Sequence, residues 1–218
     1  MKHVVKRTAP AKFEAWKSLA GETWQPSYPD LRNPEKKALH QALLKEQGGV
    51  CCYCGRRISL EDSHIEHFRP QELREDLALE YTNLFASCIR ETKPGAPLHC
   101  GHAKGSAFDE VNHVSPLDPG CEQRFIYSLN GAILPTQVRD EAARYMSQLL
   151  RLDLEFLRNR RQEVLALVFD PEFLDTASDE ELRKLADAYR THDGDGNLEG
   201  FGHVLARYVE QLLQVAVS

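Results

Sequence analysis

Six cysteines stand at positions 51, 52, 54, 88, 100 and 121, and three of them open the stretch CCYCGRRISLEDSHIEHFRP, which also carries His64, Glu66 and His67. Thiols, imidazoles and a carboxylate this close together can build a metal site or an acid–base centre. Cys51 and Cys54 form C-x2-C, the spacing at which a tight turn aims two thiolates at one ion. Two completions are open. Cys88 and Cys100 would give a four-cysteine site whose second pair is spread by the loop IRETKPGAPLH, whereas His64 and His67 would give a site of two cysteines and two histidines. Spacing favours the first: nine residues separate Cys54 from His64, fewer than the ~12 of a usual finger, and H-x2-H is one short of its usual minimum. The second would also strand Glu66 beside the metal and leave Cys88 and Cys100 without partners. Cys52 then faces away from the ion, and Cys121 reads as a buried thiol. Disulfides compete for the same residues, but the clustered spacing and the N-terminus MKHVVKRTAPAKFEAW, which has no signal-peptide run, point to metal in a cytoplasmic protein.

The elements that must position these groups are uneven along the chain. Phe13, Trp16, Leu19 and Ala20 fall at helical spacing after Pro10, and Asn33-Pro34 opens a second helix that Gly48-Gly49 stops. Between about 50 and 135 the periodicity fails, and metal is the expected organiser of that stretch. Its end, FIYSLNGAIL, reads as a hairpin turning at Asn130-Gly131 through a two-residue or bulged turn. From Thr136 to about Phe169 a stripe through Ala142, Tyr145, Met146, Leu149, Leu152, Phe156, Val164, Leu167 and Val168 predicts one helix, or a pair broken near Asn159. Ser178 and Glu181 form a capping box, and a last helix is expected over Phe201 to Val217. The run DGDGNLE at 193–199 hints at a calcium loop, yet its Gly and Glu miss the EF-hand positions, so it reads as a turn. No segment approaches the ~20 apolar residues of a membrane span.

With 218 residues the chain can bury a sizeable core, as one large domain or two smaller ones. Its net charge of −6 is unevenly spread: residues 170–199 hold ten acidic and three basic side chains, net −7, so the remainder carries +1. That leaves room for a local basic surface of Arg56, Arg57, Arg69, Arg74, Arg90, Lys93 and Lys104, with a mixed solvated surface as the alternative.

HIEHFRP, YTNLFASC and HCGHAKG, bracketed by the cysteines, resemble the HNH endonucleases with their zinc-stapled ββα-metal core. EQGGVCCYC and SPLDPGCEQRF extend the resemblance, over about residues 46 to 135, toward the PtuB-type HNH subunits of Septu and retron anti-phage defence. The resemblance implies His67 as general base, Glu66 and His102 as ligands of one catalytic divalent ion (Mg2+ or Mn2+), and Asn83 as an orienting residue. It implies structural zinc on Cys51, Cys54, Cys88 and Cys100. Arg69 or Lys104 would hold a phosphate. Hydrolysis of a phosphodiester needs such a base and cation, and a histidine of ordinary pKa, about 6.5, suits the first task. Two departures stand out: Glu66 replaces the commoner Asp, and Gly101 occupies the position of the last ligand, leaving His102 one place late, with His99 or water as substitutes.

The expectation is an α+β protein with an N-terminal helical segment (1–49), an HNH nuclease domain (50–135) and a C-terminal helical domain (136–218). It would be a nuclease acting on nucleic acid, DNA before RNA, with a PtuA-like ATPase partner implied by the resemblance; the acidic 170–199 region would face that partner. The competing reading is a non-catalytic zinc ribbon that binds a protein partner.

Overall fold

Two antiparallel ribbons of two strands each are set among helices in the computed structural model, which describes residues 1–215. α1 (Ala11–Lys17) turns Phe13 inward, where it stacks on Trp16. α2 (Glu35–Glu46) begins after Pro34 and ends before Gly48 (φ 65) and Gly49 (φ 68), the boundaries that proline and glycine predict. Leu39 and Leu43 are fully buried, each contributing roughly 1.5–3 kcal/mol by leaving water.

β1 (Ser63–His67) pairs with β2 (Leu84–Cys88) in the register Ser63↔Cys88, Glu66↔Phe85 and His67↔Leu84. Every residue of β2 is buried, as befits the run LFASC, while β1 has β2 as its one strand partner among the described residues. Gln47, just past α2, closes the back of the ribbon: its amide accepts from Ala86 N (2.8 Å) and donates to Ala86 O (2.9 Å). A single helical turn, α3 (Gly101–Lys104), follows the loop after β2.

The predicted hairpin is present as β3 (Phe125–Tyr127) and β4 (Ile133–Pro135), but Tyr127 pairs with Ile133, so the connection is longer than a two-residue turn. Tertiary packing sets that length. Gly131 (φ 77) lies so close to the next helix pair that a Cβ there would stand 2.0 Å from Arg158 O, and Arg161 Nε donates to Gly131 O at 2.7 Å.

The helical stretch divides into α4 (Glu141–Leu149) and α5 (Glu155–Val168), breaking at Arg151 (φ 49) instead of near Asn159. The buried face of α5 runs through Leu157, Arg161 and Leu165, and Leu167, assigned to the core by the stripe, is 84% exposed. α6 (Pro171–Thr176) was not anticipated; α7 (Asp179–Arg190) has the Ser178–Glu181 capping box, and α8 (Gly202–Val215) packs against it. Positions 216 and 217 of the expected last helix lie outside the described residues. At 193–199 the chain makes a turn in which Asp193 Oδ1 accepts from Asp195 N (3.0 Å) and Asn197 N (2.8 Å).

A single buried cluster contains Phe13 and Leu39, Leu84 and Phe85, and Leu157 and Val209, side chains from all three expected segments. Among the described residues no helix is long and apolar enough to cross a membrane.

Candidate active site and metal centre

Cys51, Cys54, Cys88 and Cys100 are buried, with their sulfurs all within 4.8 Å of one another. The turn at Gly55 (φ 75) brings the first pair together, its N–H donating to Cys51 O at 3.0 Å. Cys88 ends β2, and Cys100 (φ 54) precedes α3. The Sγ atoms of Cys54 and Cys88 are 3.7 Å apart. Four thiolates ~2.3 Å from a tetrahedral ion stand ~3.8 Å from each other, so this group could hold a metal ion with little movement. Burial opposes ionisation of Cys51, but hydrogen bonds from Cys100, Cys52, Cys54 and Cys88 overcome it, and its thiol ionises well below the ordinary range. Cys88 and Cys100, hydrogen-bonded to Cys51 and buried, are held well above that range, so a metal bound by the group would have to displace their protons. Cys52 is buried outside the four, its thiol hydrogen-bonded to Cys51, and burial pushes the Cys121 thiol up to about 12.

His99, offered as a substitute ligand for a catalytic ion, faces the thiols instead: its Nδ1 is 3.5 Å from Cys88 Sγ and 3.3 Å from Cys100 Sγ. There an N–H can orient a thiolate, as outer contacts of metal sites do.

Strand alternation places His64 and Glu66 on one face of β1 and His67 on the other. Glu66 is buried: Oε1 accepts from Lys104 Nζ (3.0 Å) and Tyr53 OH (3.2 Å), and Oε2 lies 3.3 Å from His64 Nε2. Burial works against this carboxylate, but His64 and Lys104 outweigh it and hold its pKa below the usual value. Lys104 donates also to His67 O (3.0 Å) and Gly105 O (3.1 Å) and is 3% exposed. This corrects the expectation that it grips a phosphate, because all three of its N–H donors are committed inside the fold.

His67 donates through Nε2 to Ala78 O (3.0 Å), and its ring meets Tyr28 edge-on at 4.4 Å. The donation fixes the tautomer and leaves Nδ1 as the free acceptor. Burial lowers the His67 pKa below 6.5, so the imidazole is neutral at physiological pH. Asn83 ties down the chain after β1: its Oδ1 accepts from Arg69 N (2.8 Å), and Nδ2 donates to Arg69 O (3.0 Å) and Leu77 O (3.1 Å). It orients the loop that supplies Ala78 to His67, not the ring itself. His102 Nε2 donates to Ile89 O (3.0 Å), and its ring lies 4.5 Å from that of His64. The residue standing against Glu66 is thus His64, and not His102.

The expected basic surface is largely neutralised. Arg56, Arg57, Arg69 and Arg74 face Asp62, Glu199, Glu110 and Asp76 at 3.0, 3.7, 2.9 and 2.6 Å. Beside the open edge of β1, however, an open groove of about 580 Å³ is lined by Tyr28, Lys36, Lys37, His64, Ile65 and Arg90. Cations on α2 therefore line a surface that the sequence reading attributed to other residues.

No family profile matches the chain. The chain is similar to a protein of retron Vc95 from Vibrio cholerae serotype O1 biovar El Tor, named as a candidate HNH endonuclease, with 26% identity over 142 residues, 62% of this chain and 67% of that protein. That likeness supports the HNH endonuclease family.

Proposed function

We propose that the chain is a metal-dependent HNH endonuclease that hydrolyses phosphodiester bonds, DNA in preference to RNA, in the cytoplasm. The observation that carries the reading is the separation of two centres: four thiols close on one another, while Glu66 and His67, adjacent in β1, stand outside that group with a buried lysine fixing the carboxylate. The relative's name points to the same chemistry.

In this reading zinc is the ion of Cys51, Cys54, Cys88 and Cys100, the donor set it prefers in structural sites. It staples the loop before β1 to the end of β2 and to α3. Glu66, with an imidazole of the His64–His102 pair, offers the oxygen and nitrogen donors that suit a second divalent cation, Mg2+ or Mn2+. When bound, that ion would polarise a phosphoryl oxygen and stabilise charge on the leaving oxygen. His64 and Lys104 keep the Glu66 carboxylate ionised, and Tyr53 helps to aim it. His67 is the general base, its neutral ring taking the proton of the attacking water at Nδ1. A phosphate laid along the open edge of β1 reaches both faces of the strand, which lets Glu66 and His67 serve one substrate although their side chains diverge. Arg69, partly exposed over the Phe108 ring, is the remaining phosphate contact from the sequence reading.

The groove offers three cations, Lys36, Lys37 and Arg90, and nucleic-acid affinity depends on the number of phosphates neutralised. A PtuA-like ATPase partner in an anti-phage complex would supply the rest, docking on the acidic surface where Glu172, Asp175, Asp179 and Glu180 are exposed on α6 and α7. The test is cleavage of supercoiled plasmid and of RNA by the purified chain, alone and with its partner, with Mg2+ or Mn2+. Nicking is expected for the native chain and absent in His67→Ala, whose zinc content and circular dichroism stay native. No cleavage under any ion or partner condition overturns the proposal and leaves the zinc ribbon.

A further inference from the structure

Gly101 stands where the resemblance places a ligand-bearing residue, and it leaves the second ion short of a donor. The space a side chain would take there is filled: a Cβ on Gly101 would lie 2.4 Å from Glu66 Oε2 and 2.7 Å from His64 Nε2. These two atoms, from residues two apart on one face of β1, converge on the gap that the glycine opens. We propose that His64 is the nitrogen ligand of the catalytic ion, paired with Glu66, and that Gly101 is a glycine because this pair occupies its side-chain space. The inference rests on the endonuclease reading and assigns within it a ligand that the sequence motifs place at His102.

Three observations support it. His64 Nδ1 lies 2.6 Å from Ile89 O. A carbonyl can only accept, so Nδ1 carries a hydrogen whatever the charge of the ring, and Nε2 is the nitrogen turned to Glu66; a cation that displaces the Nε2 proton would find the tautomer and outer-shell anchor of metal-binding histidines. Second, the 3.3 Å between His64 Nε2 and Glu66 Oε2 is longer than the ~2.7–2.9 Å of a charge-assisted hydrogen bond. One divalent cation could be held by both atoms with little movement of either side chain. Third, His102 donates its Nε2 hydrogen to the same Ile89 O, held out by a left-handed backbone (φ 72). This second donation steadies the carbonyl that anchors His64 and makes His102 a positioning residue.

The experiment titrates Mn2+ into the zinc-loaded full chain, following free Mn2+ by electron paramagnetic resonance and bound Mn2+ by its imidazole nitrogen modulation. Native protein is expected to bind one Mn2+ with nitrogen modulation. His64→Ala should bind it at least tenfold more weakly and lose the modulation, and His102→Ala should keep it. Zinc content and circular dichroism report folding of both variants, and His64→Gln, which retains bulk and polarity, should also lose the modulation. Native-like Mn2+ affinity and modulation in His64→Ala, or their loss in His102→Ala alone, overturns the assignment while leaving the endonuclease reading standing. A native chain that binds no Mn2+ and cuts no nucleic acid overturns both.

Discussion

Replacing Lys104 with methionine keeps an unbranched side chain of similar length but deletes the cation beside a buried carboxylate. In the native fold the ammonium reaches Glu66 Oε1 at 3.0 Å with side-chain exposures of 1% and 8% for the two partners, so water cannot replace the lost partner. Breaking such a pair costs up to about 3–5 kcal/mol, because the remaining charge is left buried with only the His64 imidazole and the Tyr53 hydroxyl beside it. For a chain of this size that corresponds to a fall in Tm of about 6–20 °C. Urea denaturation followed by circular dichroism measures the free energy, and a double-mutant cycle with Glu66→Gln locates it. The Lys104→Met, Glu66→Gln double variant is expected to be more stable than Lys104→Met alone, since no charge is stranded, with a coupling of about 0.5–3 kcal/mol. A loss below about 1 kcal/mol in Lys104→Met, or strict additivity in the cycle, would refute the assignment of Lys104 as the internal counter-ion of Glu66. A weaker salt dependence of DNA binding at unchanged stability would restore it as a phosphate contact.

Further outcomes follow from the same geometry. Cys54→Ser should lose close to one equivalent of zinc by elemental analysis and unfold at lower urea, whereas His67→Ala keeps its zinc. Gly131→Ala, which drives a Cβ to 2.0 Å from Arg158 O, should lose more stability than Gly95→Ala, where φ is also 77 but nothing lies within 4 Å; thermal melts of the two compare them directly. For pH, burial lowers the His67 pKa beneath 6.5 and the neutral ring is the active base, so kcat/KM should rise with pH through a midpoint below 6.5 and level off above it. A midpoint above 6.5 would assign the limb to another group.

The chemistry-bearing residues were legible where residue type and spacing suffice. Cys51 and Cys54 announce a thiolate turn, and Cys88 and Cys100 join them in space because β2 and α3 converge on that turn. What the chain hides is direction. Lys104 has the type and position of a phosphate ligand, and only the packing of α3 against β1 turns it inward. His64 was weighed only as a partner of Cys51 and Cys54, although two signals tie it to Glu66: it is two residues from Glu66 in a strand, hence on the same face, and a glycine stands where a ligand side chain is expected opposite. The helix break was misplaced for a similar reason. Asn159 is a weak local signal, whereas the actual break at 150–154 is fastened from outside: Leu150 O accepts from Cys100 N and Leu152 O from Arg161. The hairpin turn, too, takes its length from contact with α5. Capping residues such as Ser178 and Glu181 act within one turn of chain, and there sequence and structure agree.

The central claim is that the cysteines and the Glu66–His67 pair perform separate tasks with separate ions. Anomalous diffraction from crystals of the full chain soaked in Mn2+, recorded at the zinc and manganese edges, tests it most directly. Zinc is expected among Cys51, Cys54, Cys88 and Cys100, with manganese at Glu66 and His67 ligating neither. A single ion bound by His67 together with Cys51 and Cys54 would contradict the account.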